Sequence, residues 1–444
     1  MRKSLFIAVL SFFIALSFFS CSEKKSSSFA ESDKLLAASI LSDSTLVKVD
    51  RMGHSLLTRG YNAGDGYSEV WIRDFNTFIE TSMDAVSPSD VREALTVFFM
   101  LQQQNGEVVD GYVLKEDFDW DDSVRYYSEA APRHVGFKNT VETDQETSLI
   151  QAVRKYVERT GDTDFLSLEV AGITVYERMQ AAIDYLTREK RDATYHLLTG
   201  ALTADWGDVE NDSVCCVDIG EGSVATIDIY DNAMMVIALR DMQQLSPDDE
   251  SKAKWGAMEQ EYRRNIRKHL WDSRRQRFIP HLYPDGKPKE VYFDESQIYY
   301  HGGTAIAIEA DLLTADEVRK VNADMLENVR ESGMPSIGLT VYPTYPSGFF
   351  YGGMSKPFYY QNGGDWTWFG GRMIQGLIRY GLVGEAYQEL RPMIDRVIVN
   401  GDFYEWYGIG NQPRGSSAFK GSAGVLCKAI AMLRAWAQQT IGEQ

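Results

Sequence analysis

The sequence predicts an all-α fold, an (α/α)6 barrel of six helical hairpins in an inner and an outer ring with a small β-hairpin on the rim. Three observations predict it. Apolar periodicity marks about 12 helical segments. The connections between them alternate between tight turns and long loops. One segment, Ala233-Met234-Met235-Val236-Ile237-Ala238-Leu239, is apolar on almost every side, as a helix enclosed by others must be.

The segments fall near residues 33–50, 73–84, 88–104, 144–160, 170–187, 230–245, 247–271, 303–313, 315–331, 366–380, 383–399 and 419–438. Three open with a hydroxyl at the cap and an acid three residues on: Ser87-Pro88-Ser89-Asp90, Ser246-Pro247-Asp248-Asp249 and Thr314-Ala315-Asp316-Glu317. That pattern satisfies the free N–H groups of a helix start, and the short connections before it join antiparallel neighbours. The long connections enter the fourth, sixth, eighth, tenth and twelfth segments and are rich in Gly, Asp, Trp and Tyr. Twelve alternating helices therefore place their elaborate loops at one end. A hairpin is expected from Phe278-Ile279-Pro280-His281-Leu282-Tyr283 and Val291-Tyr292-Phe293 around the Asp285-Gly286 turn.

The chain begins Met1-Arg2-Lys3, runs apolar from Leu5 to Phe19 and reaches Ser20-Cys21 before a Ser/Lys-rich stretch. A basic start and an apolar centre shorter than the roughly 20 residues of a membrane span read as an export signal. Cys21 stands where bacterial lipoproteins carry their lipid. Residues 1–21 are thus expected to be a lipoprotein signal peptide, 22–32 a flexible tether and 33–444 one catalytic domain. The expected protein is a monomer held at a membrane through Cys21, in the periplasm or on the outer membrane. A hydrophobic fraction of 44% supplies a large core, and a net charge of -19 with no basic stripe excludes nucleic acid as a partner. Cys215-Cys216 and Cys427 show no metal-binding spacing, so they read as structural or incidental.

Four constellations carry chemistry, all in loops entering inner helices. The first is Trp71-Ile72-Arg73-Asp74: an Arg-Asp neighbour pair at a helix start can clamp adjacent sugar hydroxyls, although the dipeptide alone favours a buried structural ion pair. In the second, Asp205-Trp206-Gly207-Asp208-Val209-Glu210, three acids flank a Trp whose face can stack on a sugar, and an apolar ring raises a neighbouring carboxyl's pKa as a proton donor requires. As a bare segment it is equally a solvated acidic turn. The third, Gly363-Gly364-Asp365-Trp366-Thr367-Trp368, combines close backbone approach with aromatic surface. The last, Phe403-Tyr404-Glu405-Trp406, sets one acid among aromatics ahead of the small-residue run from Gly415 to Gly424.

In this order the motifs resemble those of the six-hairpin glycosidases, the broad group of glucoamylase, trehalase, the processing α-glucosidases, bacterial exo-α-mannosidases and the cellobiose phosphorylases. Trp71-Ile72-Arg73-Asp74 is similar to the group's Trp-x-Arg-Asp, which holds the sugar on the non-reducing side of the cut bond. Asp205-Trp206-Gly207-Asp208 is similar to the phosphorylases' Asp-Trp-Asn-Asp, with Gly207 in place of Asn. The resemblance implies that Asp208 is the general acid, with Asp205 and Glu210 as alternatives, and that Trp206 is a sugar platform. Glu405 resembles the general base of the α-glucosidases and trehalases. The implied function is inverting, exo-acting hydrolysis of an α-glucoside or α-mannoside within an oligosaccharide or glycan, requiring no cofactor or metal, with Trp71, Arg73, Asp74, Asp205, Trp206, Glu210, Asp365, Trp366 and Trp406 binding substrate. A phosphorylase would replace water by phosphate and have no use for Glu405. A non-catalytic glycan-binding lipoprotein would bind as well without either acid.

Overall fold

The computed structural model describes residues 31–118, 124–210, 217–289 and 291–442. The signal peptide, Cys21, most of the expected tether and Cys215-Cys216 lie outside the described residues. The helices in chain order are α1 (Glu31–Ser42), α2 (Ser44–Leu57), α3 (Ile72–Ser82), α4 (Pro88–Leu101), α5 (Gln145–Thr160), α6 (Val175–Tyr185), α7 (Ile229–Leu245), α8 (Asp249–His269), α9 (His301–Glu309), α10 (Ala315–Ser332), α11 (Thr367–Arg379), α12 (Val383–Asn400) and α13 (Lys420–Gly442).

Six of them, α3, α5, α7, α9, α11 and α13, pack each on the next, and α13 closes on α3. Burial follows the two rings. In α7 and α9 nearly every residue is buried, polar ones included. Outer helix α8 buries only Trp255, Glu259, Tyr262 and Ile266, and α10 only Val318, Val321, Asn322 and Met325. These are single stripes at helical spacing, which is what a helix covered on one side needs.

Three local expectations are corrected. The first predicted segment is two helices, because the Asp43 side chain accepts from Thr45 N (2.9 Å) and caps a fresh start at α2. Thr314 and Glu317 form the expected reciprocal cap, but α8 is capped by Asp248, whose carboxylate accepts from Ser251 N at 2.7 Å. Ser246 instead closes α7, donating to Met242 O. Finally, the rim hairpin pairs Trp271–Asp272 with Arg277–Phe278. The chain beyond it bridges at Leu282 to Ile227, so the stretch expected to pair with 291–293 is already engaged.

One element went unforeseen. In a four-stranded antiparallel sheet, in the order Val70–Trp71, Gly111–Leu114, His134–Lys138, Val124–Tyr126, the last three strands come from the connection between α4 and α5 and the first immediately precedes α3. The sheet forms one wall of the barrel mouth. No helix among the described residues is long and apolar enough to cross a membrane.

Candidate active site

The loops before the inner helices surround a cavity of about 250 Å³ lined by Tyr67, Trp71, Arg73, Asp74, Asp110, Phe137, Lys138, Asn139, Glu142, Trp206, Asp208, Val217, Tyr360, Gln361, Trp366, Trp368, Glu405 and Phe419. Of the residues singled out by sequence, it brings together Trp71, Arg73, Asp74, Trp206, Asp208, Trp366 and Glu405. The ring order matters here. Asp208 belongs to the connection entering α7 and Glu405 to the one entering α13, and α7 and α13 are three places apart in a ring of six. The two acids therefore approach the cavity from opposite sides.

Their hydrogen bonding differs. Glu405 Oε2 accepts from Tyr67 Oη at 3.1 Å and from the Ser416 amide at 2.9 Å. Asp208 Oδ2 accepts from Tyr360 Oη at 3.2 Å, while its Oδ1 is buried and unpartnered among the described residues. Burial pushes both carboxyls above the ordinary range, Glu405 to about 7. For Glu405 the negative charge of Asp208 adds to the rise, and its two donors oppose it.

Arg73 does not pair with its neighbour Asp74. Its guanidinium grips Asp144 through Nε (2.6 Å) and Nη2 (3.0 Å), and Nη2 also reaches Glu142 Oε1 at 2.5 Å. Tyr230 Oη adds a 2.7 Å bond to Asp144. Although burial works against ionisation, Arg73 holds Asp144 below the usual carboxylate range. Glu142 stays well above that range, because burial and the nearby acids outweigh the same arginine. Asp74 and Asp110 are raised by burial to about 7, and neither carboxyl has a hydrogen-bond partner among the described residues. Lys138 Nζ is held by Val108 O (2.7 Å) and Glu146 (2.9 Å).

The aromatic wall is interlocked. Trp206 meets Trp366 edge-on at 5.2 Å and Phe369 at 4.2 Å between ring centroids, and Trp366 Nε1 donates to Tyr360 O. Gly207 lies in the same turn. A Cβ there would sit 2.3 Å from Thr203 Oγ1 and 2.9 Å from Ala204 O, so asparagine does not fit this backbone.

Four residues expected at the substrate stand behind the wall instead. Asp205, in the left-handed region at φ 55°, accepts at Oδ1 from Gly303 N (2.8 Å) at the start of α9. Glu210 is buried and accepts from Ser223 Oγ at 2.6 Å. Asp365 is fully buried in an ion pair with Arg396 at 2.9 Å and also holds Ser336. Trp406 packs against Tyr359 and Tyr360. In each case a side chain with cavity chemistry found a partner in the scaffold first.

Sequence reasoning missed Glu142, Asp144 and Asp110. One feature points to the first two: the polar run Glu142-Thr143-Asp144-Gln145-Glu146-Thr147-Ser148 enters an inner helix, where polar side chains are tolerated only if they serve a cavity or each other.

Residues 42–321 match the model of the glycosyl hydrolase 94 superfamily, catalytic domain. No curated protein matches the chain. Among solved structures, the GH63 mannosylglycerate hydrolase from Thermus thermophilus in complex with glucose is similar at TM-score 0.60 and 14% identity, over 87% of this chain and 99% of that one. An uncharacterized conserved protein from the same organism gives TM-score 0.61 at 14% identity, over 85% and 98%. The GH78 family rhamnosidase of Bacillus sp. GL1 gives 0.58 at 14% identity, over 86% of this chain and 34% of the longer rhamnosidase. These likenesses carry the (α/α)6 barrel, and the family match spans well over half the sequence: the chain belongs to the glycosyl hydrolase 94 superfamily and carries its catalytic domain, that of a glycosidase-type enzyme.

Proposed function

We propose that this protein is an inverting, exo-acting glycoside hydrolase in which Asp208 is the general acid and Glu405 the general base. The observation that carries the reading is the pair of raised carboxyls facing one cavity from opposite sides of the barrel, each bonded differently. The unpartnered Asp208 Oδ1 is the atom to present a proton to the glycosidic oxygen. Glu405, whose ionised form is supported by Tyr67 and Ser416, takes a proton from water attacking the opposite face. Inversion needs these carboxyls about 6.5–9.5 Å apart, enough for that water.

Hydrolysis is favoured over phosphorolysis by charge. Asp74, Asp110, Glu142, Asp208 and Glu405 all line the cavity, and the two cations that line it among the described residues, Arg73 and Lys138, are already bound to carboxylates. A phosphate dianion finds no free cation among these residues, because both are committed to carboxylates. The cavity lies below the usual size of sites for drug-sized ligands, which fits one terminal sugar ring. The substrate class is an α-glucoside or α-mannoside, in keeping with a fold neighbour that is a mannosylglycerate hydrolase holding glucose. The proposal includes export and a lipid on Cys21, tested by labelling cells with a radioactive fatty acid and comparing Cys21→Ala.

The test of the activity is sugar release from a panel of aryl glycosides and α-linked disaccharides, with and without phosphate, by wild type, Asp208→Asn and Glu405→Gln. Phosphate-independent release that either variant abolishes supports the proposal. Release that requires phosphate overturns the hydrolase reading, and sugar binding without turnover, unchanged in both variants, turns it to a glycan-binding protein.

A further inference from the structure

We infer that Tyr300, backed by His281, Glu295 and Tyr345, is a positioning residue that sets the aim of the Asp208 carboxyl. The inference rests on the proposal that Asp208 is the general acid.

Asp208 has one hydrogen bond at its carboxyl, from Tyr360 Oη, while its amide donates to Gln361 Oε1 (3.1 Å) and its carbonyl accepts from Asn139 Nδ2 (3.4 Å). Where Oδ1 points is therefore decided by the backbone of residues 203–210. That loop is pinched shut by Thr203 Oγ1, which donates to Val209 O at 2.7 Å, and by a β-bridge from Thr203 to Glu210. Thr203 is in turn held from behind. Tyr300 Oη donates to its carbonyl at 3.0 Å.

Behind Tyr300 lies a closed set of polar contacts. Its hydroxyl is 3.1 Å from His281 Nε2 and 2.6 Å from Tyr345 Oη. Glu295 accepts from His281 Nδ1 (2.8 Å), Tyr345 Oη (2.9 Å) and Tyr283 Oη (2.8 Å). All of this is embedded in an apolar cluster of Leu202, Ala204, Val209, Ile298, Phe350 and Met354. Well-packed apolar residues would fill the same volume without burying a carboxylate and an imidazole, so bulk stability does not require the network. What the network supplies is a fixed position for one backbone carbonyl at the base of the acid loop. Tyr300 also immediately precedes α9, whose Gly303 amide holds Asp205, so one junction grips the loop at two points. None of Tyr300, His281, Glu295 and Tyr345 lines the cavity, which separates their role from contact with sugar.

A displaced general acid has a distinctive kinetic effect. Protonation matters in proportion to how basic the leaving group is: a sugar alkoxide needs the proton, whereas fluoride leaves without one. Tyr300→Phe keeps the ring and removes the bond to Thr203. The experiment measures kcat and KM of wild type, Tyr300→Phe, Tyr345→Phe and Asp208→Asn on the disaccharide substrate and on the glycosyl fluoride of the same sugar. For Tyr300→Phe, kcat on the disaccharide is expected to fall about 10- to 100-fold, the scale of a sub-ångström misplacement, with turnover of the fluoride within about 2-fold of wild type. Tyr345→Phe, which leaves the Thr203 bond in place, is expected to show the same contrast more weakly, and it carries the test if Tyr300→Phe does not fold. Equal losses on both substrates, or no loss on either, overturn the inference. Asp208→Asn separates the two levels: if it lacks the contrast, the acid assignment has failed, and if it alone shows the contrast, only the role of Tyr300 has.

Discussion

Replacing Gly415 by alanine should disable catalysis while leaving both acids in the sequence. Gly415 has φ +66°, and a Cβ built on it lies 2.3 Å from Glu405 Oε2 and 2.8 Å from Glu405 Cβ and Cδ. Real Cβ contacts essentially never fall below 3.0 Å, so the carboxylate must retreat by about 0.7 Å. That motion weakens the bond from Ser416 N, a hydrogen bond to a charged group of about 1.5–3 kcal/mol. The left-handed backbone costs alanine about 1 kcal/mol more. The expected outcome is a stability loss of up to about 2.5–4 kcal/mol and, because the base moves by most of an ångström, a fall in kcat approaching 100-fold. Gly401→Ala is the control: it has φ +70° and nothing within 4 Å of its Cβ, so it carries the backbone cost alone. Steady-state kinetics and denaturant unfolding of both variants decide the matter. A Gly415→Ala enzyme with kcat within about 2-fold of wild type would refute the placing of Glu405 at the reaction, as would an equal loss of kcat in Gly401→Ala.

The profile of kcat/KM against pH should have an acid limb near pH 7, as Glu405 gains a proton and stops acting as base; Tyr67→Phe, which removes a donor to the Glu405 carboxylate, should move that limb upward. Asp365→Ala strips a fully buried Arg396 of its partner and should cost about 3–5 kcal/mol in urea unfolding with KM unchanged; a raised KM at unchanged stability would restore Asp365 to the substrate. Stability itself should fall as pH rises from about 4 to about 8. Burial holds Asp74, Asp110 and Glu405 at about 7 and Asp205 at about 8, so the folded chain keeps protons that the unfolded chain releases near pH 4, and that advantage is lost as pH passes each folded value. Asp205→Asn should flatten the decline of the melting temperature, since its oxygen can still accept from Gly303.

The barrel could be read from the sequence because its helices are long, strongly periodic and separated by loops of alternating length. Segment 230–245 became α7 almost to the residue, since a helix buried on all sides announces itself by composition alone. The four-stranded sheet could not be read in the same way: its strands are five residues or shorter, and Gly111–Leu114 acquires its partner His134–Lys138 only through tertiary pairing. At the site, chemistry and position were separable. Residue type picked out Asp205, Asp208 and Glu210 alike, but only the backbone turn decides that Asp208 faces the cavity while Asp205 caps α9 and Glu210 meets Ser223. Asp365 and Trp406, absent from the cavity lining, make a related point: a buried acid and a buried tryptophan look the same in sequence whether they serve a ligand or the core. Glu142 and Asp144 were passed over because no aromatic or glycine marks them, and their purpose shows only when Arg73 arrives from α3.

The most direct test of the account is a proton NMR time course of the wild-type enzyme cleaving an α-linked substrate in phosphate-containing buffer, read at the anomeric signals before mutarotation. An inverting hydrolase gives free β-sugar as the first product, with no sugar phosphate. First appearance of the α-anomer, or of a glycosyl phosphate, would contradict it.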